Sequence, residues 1–169
     1  MYIDYRLEKS VLGWLLVAAT ELGICLLMLD DSKDELLQEL EKRFPLAEFN
    51  SQAETLRSPV KSIVDWLAGQ SPQPELPLDE QGTDFQKRVW AELRRIPCGE
   101  RIAYSELARR IGKPTAVRAV AGACARNPVA LLTPCHRVVR QDGDLGGYRW
   151  GIERKRRLLA AEQSGQWKG

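Results

Sequence analysis

The segment YSELARRIGKPTAVRAVAGACARN, from Tyr104 to Asn127, decides the fold expected for the second half of the chain. A short helical pattern ends at Gly112, a residue type that accepts the left-handed backbone at a helix end. Pro114 suits the first turn of a second helix. Two helices joined by a tight glycine-containing turn are typical of a helix-turn-helix, although many globular proteins contain such a corner.

The second helix of this corner is unusual because small residues cover most of its surface. They are Ala116, Ala119, Ala121, Gly122, Ala123 and Ala125. Small side chains let a helix backbone approach a partner closely, and tight packing on a neighbouring helix would explain the same composition. Arg118 has no obvious place in a core, which favours a position on the surface.

The remaining segments predict a second lobe of mixed structure. Three runs are typical of strands: Tyr2–Leu7, Trp14–Ala19 and Ile24–Leu29. Helices are predicted after Ser32, whose spacing to Glu35 fits a capping box, and over Pro59–Leu67. Three prolines without a helical period predict an extended connector over Gly69–Thr83. Thr83 then suits the cap of a helix that opens the following lobe.

Composition is compatible with an α+β chain of two lobes. The 169 residues are 44% hydrophobic and 28% charged, which is ordinary for a soluble globular protein. We expect an α/β lobe with its connector over residues 1–83 and a mostly helical lobe over residues 84–169. The apolar run Val11–Leu29 is long enough to suggest a membrane span. Because Glu21 lies at its centre, two buried strands are expected instead.

The four cysteines are scattered without a C-x-x-C pair, and the chain contains one histidine. These counts argue against a zinc site, and a chain of this length does not need disulfides. Charged residues interrupt the first positions, so no secretory signal is expected. We therefore expect reduced thiols, a cytoplasmic location and no membrane association.

Charge is divided unevenly between the two predicted lobes. Residues 1–83 carry a net charge of −8, whereas residues 84–169 carry +10. A basic lobe attached to an acidic one predicts that the second lobe contacts a polyanion such as nucleic acid. A solvated surface with uneven charge is the alternative that composition leaves open.

The stretch TPCHRVV, Thr133–Val139, places Cys135 beside His136, the one imidazole of the chain. A cysteine is a nucleophile as its thiolate, so a reactive cysteine needs a base or a positive environment. His136 can take the proton directly or through a water, and a carboxylate would orient the imidazole. The downstream carboxylates are Asp144, Glu153 and Glu162, and spacing does not choose among them. A buried cysteine in a strand, beside a histidine that merely packs, is the alternative.

Three longer segments carry a resemblance that favours the reactive cysteine. They are AYSELARRIGKPTAVRAVAGA, NPVALLTPCHRVV and GGYRWGIERKRRLL. Together they resemble the O6-alkylguanine-DNA alkyltransferases, continuously from about Phe85 to Glu162 and most nearly the carboxy-terminal half of the bacterial adaptive-response (Ada) proteins. The first lobe matches more loosely. The resemblance implies a ribonuclease-H-like amino-terminal lobe and a helical lobe similar to a winged helix.

The same resemblance implies a DNA repair enzyme. Members of the family transfer the alkyl group of O6-alkylguanine, and also of O4-alkylthymine, from double-stranded DNA to a cysteine. The damaged nucleotide leaves the duplex through the minor groove. A thioether is a poor leaving group, so we expect each molecule to act once. We also expect the protein to act as a monomer, without a cofactor or a metal.

At matching positions the resemblance implies roles at the reaction centre. Cys135 would accept the alkyl group, with His136 as its water-mediated base. Glu162 would orient the imidazole. Asn127 would be the hinge that braces the helix against the active-site loop.

The resemblance also implies contacts with DNA. Tyr104 would rotate the phosphate on the 3′ side of the lesion, and Arg118 would fill the space that the flipped nucleotide leaves. Ala119 and Gly122 belong to the small-residue helix that approaches the duplex closely.

A base pocket is implied by four further matches. Tyr148 would line the pocket and donate a hydrogen bond to guanine. The backbone carbonyl of Cys135, together with Val138, would read the base edge, and Pro134 would lie beside them. Thr133 departs from the family, which usually has isoleucine there, but it is still β-branched.

Three rival functions remain for the chain. A non-catalytic protein that binds alkylated DNA would lack the acceptor cysteine, which is intact here as Cys135. A helix-turn-helix regulator would leave the Cys-His pair unexplained, and a cysteine hydrolase would turn over many times. The sequence leaves open the range of alkyl groups, the preference for guanine over thymine lesions, cooperativity on DNA, and whether the chain is a fragment of a larger Ada-type regulator.

Overall fold

A computed structural model describes residues 1–167 of the chain. The chain divides into two compact units, the first ending at Glu80 and the second beginning at Gln81. The first unit is a sheet with two helices, and the second is mostly helical. The fold is therefore α+β.

A mixed four-stranded sheet forms the first unit. Its strands are β1 (Tyr2–Ser10), β2 (Gly13–Thr20), β3 (Gly23–Asp30) and β4 (Glu48–Ser51), in the order β3-β2-β1-β4. β1 pairs antiparallel with β2 and parallel with β4, and β2 pairs antiparallel with β3. The three predicted strands are confirmed, and the run Val11–Leu29 forms β2 and β3. Across residues 1–167 no helix is long and apolar enough to cross a membrane.

The fourth strand was not predicted. Residues EFNS of β4 are mostly exposed and show no apolar alternation, so the local sequence carries no strand signal. The strand forms because its backbone pairs with β1, from Tyr2 opposite Glu48 to Tyr5 opposite Ser51. This pairing joins residues far apart in the chain, which a local pattern does not report.

Two helices complete the first unit. Helix α1 (Lys33–Arg43) begins at the predicted cap, where the Ser32 side chain accepts a hydrogen bond from the Glu35 amide. Helix α2 (Arg57–Leu67) begins two residues before the predicted Pro59, which lies in its first turn. α1 packs on β3 and α2 on β1.

The end of the proline-rich connector belongs to the sheet of the first unit. The Ile24 amide donates to the Pro77 carbonyl at 2.9 Å, and the Asp79 amide donates to the Ile24 carbonyl at 2.7 Å. Gly23 permits this approach, because a Cβ atom at its position would lie 2.5 Å from the Pro77 oxygen. The connector is thus extended, as predicted, and lies along the edge of β3.

Four helices and a short parallel ladder form the second unit. The helices are α3 (Asp84–Leu93), α4 (Tyr104–Arg110), α5 (Val117–Ala125) and α6 (Ile152–Gln163). The ladder pairs β5 (Ile102–Ala103) with β6 (Val138–Val139). Thr83 caps α3 as predicted, in a reciprocal capping box with Gln86. The indole of Trp90 on α3 donates to the Ala123 carbonyl on α5 at 2.9 Å.

The predicted helix-turn-helix is formed by α4 and α5. Gly112 follows α4 with φ +76°, the left-handed backbone that glycine accepts. Helix α5 begins at Val117 and not at Pro114, because residues 114–115 form a turn and Ala116 is the N-cap. One face of α5 is buried through Val120, Ala123 and Cys124, whereas Arg118 and Ala119 are exposed.

Candidate active site

Cys135 and its two partners come from different elements of the second unit. Cys135 and His136 lie in a 3-10 turn, Cys135–Arg137, which we call the active-site turn, and Glu162 lies near the end of α6. His136 Nε2 is 2.6 Å from Glu162 Oε1, and both side chains are buried. Of the three carboxylates that the sequence left open, the fold therefore brings Glu162 to the imidazole. Glu153 pairs with Arg156, and Asp144 is exposed in a loop.

The imidazole is arranged as a base. Burial lowers the pKa of His136, although the Glu162 carboxylate opposes this, so the resting ring is neutral. Because Nε2 faces a carboxylate, Nε2 carries the hydrogen and Nδ1 offers a lone pair. Nδ1 is buried and has no hydrogen-bond partner within the described residues. That nitrogen can accept a proton.

Arg137 completes this network and was missed by the sequence reasoning. Its Nε donates to both oxygens of Glu162, at 3.0 and 3.1 Å, and its Nη1 donates to the Ile96 carbonyl at 2.6 Å. Burial raises the pKa of Glu162, but His136 and Arg137 outweigh it and hold the pKa at about 2. The carboxylate is thus ionised at neutral pH. The local sequence does not predict that the arginine after His136 is buried.

Asn127 joins the end of α5 to the loop before Cys135. Its Nδ2 donates to the Thr133 carbonyl at 2.7 Å, and its Oδ1 accepts from the Val129 amide at 3.0 Å. The Thr133 hydroxyl is buried and accepts from Arg94, the residue that caps the end of α3, at 2.9 Å. The loop is therefore tied to two helices by side-chain hydrogen bonds.

A cavity of about 390 Å³ opens beside Cys135. Its lining includes four of the predicted site residues, Tyr104, Arg118, Cys135 and Tyr148. The rest of the lining consists of Val117, Ala121, Cys124, Ala125, Arg140, Gly146, Gly147 and Arg149. All of these residues belong to the second unit. The cavity is large enough for a planar base with a substituent.

The Tyr148 hydroxyl is the polar group that this cavity leaves unsatisfied. It is buried and has no hydrogen-bond partner within the described residues. Burial raises the pKa of the Tyr148 phenol well above its ordinary range, so the hydroxyl keeps its hydrogen. Burial likewise raises the pKa of Tyr104, with the neighbouring thiols Cys124 and Cys135, to about 12. A buried hydroxyl of this kind is a donor that awaits an acceptor.

Seven predicted site residues do not line the cavity, namely His136, Glu162 and Asn127, described above, and Ala119, Gly122, Pro134 and Val138. Ala119 is exposed on α5, and Gly122 is half-buried on the same helix. Pro134 is buried just before Cys135, and Val138 is buried in β6. The Val138 carbonyl accepts a hydrogen bond from Lys155 Nζ at 2.7 Å. Lys155, fully buried on α6, is a second residue that the sequence reasoning missed.

Both units match known protein families. Residues 84–164 match the DNA-binding domain of 6-O-methylguanine DNA methyltransferase, and residues 3–79 match its ribonuclease-like domain. The methylated-DNA--protein-cysteine methyltransferase of Mycolicibacterium paratuberculosis is 36% identical over 161 residues, covering 95% of this chain and 93% of that protein. This chain belongs to the 6-O-methylguanine DNA methyltransferase family.

A solved structure of the family has the same fold. The crystal structure of Mycobacterium tuberculosis OGT in complex with DNA matches with a TM-score of 0.81 and 35% identity. It covers 98% of this chain and 96% of the mycobacterial chain. The fold of two units that the resemblance implied is thus confirmed.

Higher identity is found in a longer member of the family. The bifunctional transcriptional activator and DNA repair enzyme Ada of Escherichia coli is 48% identical over 161 residues. That match covers 95% of this chain but 45% of Ada, so the chain spans less than half the length of that relative. The predicted similarity to part of Ada is confirmed.

Proposed function

We propose that this protein repairs DNA by moving the alkyl group of O6-alkylguanine to Cys135. One observation carries the proposal: Cys135 and the unsatisfied Tyr148 hydroxyl lie at one cavity, and the residue after Cys135, His136, is buried in a pair with Glu162. A Cys-His pair that only packs in the core does not explain why a buried hydroxyl lacks an acceptor at the same cavity. A donor facing an acceptor on the leaving group is what an alkyl transfer from a purine requires.

The reaction begins with loss of the thiol proton. His136 Nδ1 accepts that proton through a water, and Glu162 stabilises the resulting imidazolium. The Cys135 thiolate attacks the alkyl carbon, so that a C–S bond forms as the C–O6 bond breaks. The electron pair of the broken bond stays on guanine as an anion. This anion takes a proton from water and leaves as the normal base, while the His136 imidazolium returns the thiol proton to the resulting hydroxide. The Tyr148 hydroxyl donates a hydrogen bond to the base as this charge develops.

The product at Cys135 is a thioether, which explains why one molecule acts once. A thioether sulfur is a poor leaving group, and none of the proposed roles supplies a route for its release. The same chemistry applies to O4-alkylthymine, whose alkyl oxygen lies on the same edge of the base. We propose both lesions as substrates in double-stranded DNA and a monomer as the acting form in the cytoplasm.

The alkylated oxygen lies inside the duplex, so the nucleotide must leave the base stack to reach Cys135. Arg118 is exposed on α5 and lines the cavity, where it is suited to fill the space that the nucleotide leaves. Ala119 and Gly122 keep α5 narrow, so that its backbone approaches the minor groove. Tyr104 begins α4 at the same cavity and would turn the neighbouring phosphate.

The base itself would be read by backbone groups. The carbonyls of Cys135 and Val138 face the edge of guanine, with Pro134 fixing the approach of the chain to Cys135. The Val138 carbonyl accepts from Lys155 Nζ, which holds it in place. Asn127 holds the loop before Cys135 to α5, so that DNA contacts on α5 and the thiol keep a fixed separation.

The rival functions explain less of this geometry. A non-catalytic DNA-binding protein or a helix-turn-helix regulator needs neither the thiol nor the buried Glu162 behind His136. A hydrolase would need a water route to a covalent intermediate that water can cleave. Alkyl transfer uses every member of the set.

Intact mass spectrometry tests the proposal directly. The full chain is incubated with duplex DNA that carries one O6-methylguanine, and we expect a mass gain of one methyl group per molecule, located on Cys135. Cys124→Ser is the matched control, because Cys124 lines the same cavity and should not be needed. Many turnovers per molecule, or a methyl group on Cys25, Cys98 or Cys124, would contradict the proposal.

A further inference from the structure

Lys155 is a charged side chain with 0% exposure in the interior of the second unit. Its Nζ donates to the Val138 carbonyl at 2.7 Å and to the Gly147 carbonyl at 3.2 Å. Among the described residues no carboxylate forms an ion pair with it. Burying an ammonium without an anion is costly, so this position calls for a physical reason.

Both residues are tied to the site of Cys135: the Val138 amide donates to the Cys135 carbonyl, and Gly147 lines the cavity together with Cys135. Val138 belongs to β6, directly after the active-site turn, and Gly147 precedes Tyr148 in the loop that leads to α6. One ammonium therefore connects α6, β6 and this loop. Lys155 and Glu162 are seven residues apart, two helical turns, so both project from the same face of α6. That face supplies the carboxylate for His136 and the cation for the Val138 and Gly147 carbonyls.

The charges around Lys155 show which anion is available to it. Burial lowers the pKa of the ammonium, while Cys135, Cys124 and Asp144 raise it. Glu162 is already bound by His136 and Arg137, and Asp144 is exposed. The other titratable or charged groups that face this region are His136 and Arg137 on the active-site turn, Tyr104 on α4, Arg140 and Tyr148 in the loop, and Arg154 on α6.

We propose that Lys155 is a positioning residue for the transfer reaction. Its ammonium holds the Val138 and Gly147 carbonyls, and with them Tyr148, around the base, and it supplies the positive charge that stabilises the Cys135 thiolate. When the thiol proton moves to His136, the new anion on sulfur compensates the buried cation. When the thioether forms, that anion is lost. This inference rests on the proposed function for its substrate but not for its effect on the thiol.

Three substitutions separate the two parts of the inference. Lys155→Met removes the charge and the donors, Lys155→Gln keeps a donor without the charge, and Lys155→Arg keeps both. Lys61→Met is the matched control, because Lys61 is an exposed lysine on α2 of the first unit. Circular dichroism and thermal melting show whether each variant folds. If Lys155→Met does not fold, Lys155→Gln still tests the charge.

The readout is the pH dependence of Cys135 alkylation by iodoacetamide and by free O6-benzylguanine. In Lys155→Met and Lys155→Gln we expect the midpoint of the pH profile to rise by about one unit. At pH values below both midpoints the rate should fall about ten-fold. Lys155→Arg and Lys61→Met should keep the midpoint of the unmodified protein. The O6-benzylguanine concentration at half-maximal rate should rise in Lys155→Met and recover in part in Lys155→Gln.

A uniform loss of rate at every pH, with the midpoint unchanged in both neutral variants, would reduce Lys155 to a structural residue and overturn the inference. An equal effect in Lys155→Arg would overturn it too. Failure of the proposed function looks different. In that case the unmodified protein would not alkylate Cys135 from methylated DNA, while the iodoacetamide midpoint would still report on Lys155.

Discussion

The two units of the molecule differ most in what they bury. Within residues 1–80, all of which are described, every fully buried side chain is apolar or a cysteine. The second unit contains all of the buried polar or charged side chains found in residues 1–167, namely Asn127, Thr133, His136, Arg137, Lys155 and Glu162. Their charge differs as well, at −8 for residues 1–80 and +10 for residues 81–169.

The first unit thus buries groups that stabilise the fold, whereas the second unit also buries groups that can take part in chemistry. Apolar burial stabilises the first unit, and this contribution does not depend on the pairing of buried charges. In the second unit, His136 and Arg137 satisfy the buried Glu162 carboxylate, whereas two backbone carbonyls accept from the buried Lys155 ammonium. All six polar groups belong to the active-site turn, the loop before it, or α6. The interior departs from apolar packing around the active-site turn.

The largest effect is expected when Cys135, a buried thiol of the second unit, is replaced. Cys135→Ala should abolish alkyl transfer, because no other group accepts the alkyl carbon, while binding to methylated duplex DNA stays measurable. Cys25→Ala changes a buried thiol of the first unit and should leave the rate unchanged. Transfer from radiolabelled methylated DNA and gel-shift binding check both statements. Residual transfer in Cys135→Ala would place the acceptor elsewhere.

The second prediction separates flipping from the thiol chemistry. Arg118→Ala should slow repair of duplex DNA by about a hundred-fold, because flipping is uphill by roughly a few kcal/mol and the exposed arginine stabilises the flipped state. The same variant should react almost normally with free O6-benzylguanine, which needs no flipping. His136→Ala should slow both reactions, since it removes the base.

Single-turnover rates of both variants on both substrates test this assignment. Arg57→Ala, an exposed arginine of the first unit, is the control and should change neither rate. Equal losses on duplex and free base in Arg118→Ala would show that Arg118 does not act in flipping.

The third prediction concerns stability against acid. The folded pKa of His136 is lowered below 6.5 and that of Glu162 is lowered from 4.5 to about 2. Below those ordinary values the unfolded chain binds protons that the folded chain does not, so stability falls as pH falls. The decline should begin near pH 6.5 through His136 and steepen below pH 4.5 through Glu162. The Glu162 contribution is roughly 3 kcal/mol.

Calorimetric unfolding of the full chain across this pH range measures the effect. Glu162→Gln should be less stable at neutral pH and should lose less stability between pH 4.5 and about 2 than the unmodified chain. The first unit contains no histidine, so its transition should not respond near pH 6.5. Identical acid profiles of the two proteins would show that the buried network does not hold the carboxylate ionised.

The smallest effect is expected for one surface charge. Lys113 is exposed in the turn between α4 and α5, so Lys113→Gln should weaken DNA binding a few-fold and reduce the slope of log K against log salt by about 0.9. Lys42→Gln, an exposed lysine on α1, should leave the slope unchanged. Salt titrations of binding to undamaged duplex compare them. Equal slopes for all three proteins would contradict contact through the basic unit at this turn.

Most secondary structure followed from local patterns. The apolar runs of β2 and β3, the caps Ser32 and Thr83, and the Gly112 turn act on neighbours in the chain, so their signals survive in the sequence. β4 was not predicted, because its residues are polar and exposed and the strand depends on pairing with β1. The start of α5 was placed too early, because Pro114 suits a turn as well as a first helical residue.

The sequence by itself determined which chemistry was possible: one thiol beside the one imidazole, small residues on the helix after Gly112, and positive charge in the second half. Tertiary structure decided which carboxylate orients His136, since residues 136 and 162 are 26 positions apart. It also decided the states of the groups. Burial lowers the pKa of His136 and raises that of Tyr148, and folding places Arg137 and Lys155 where no local pattern puts them. Desolvation and long-range pairing depend on the whole fold, so they emerge when the chain is packed.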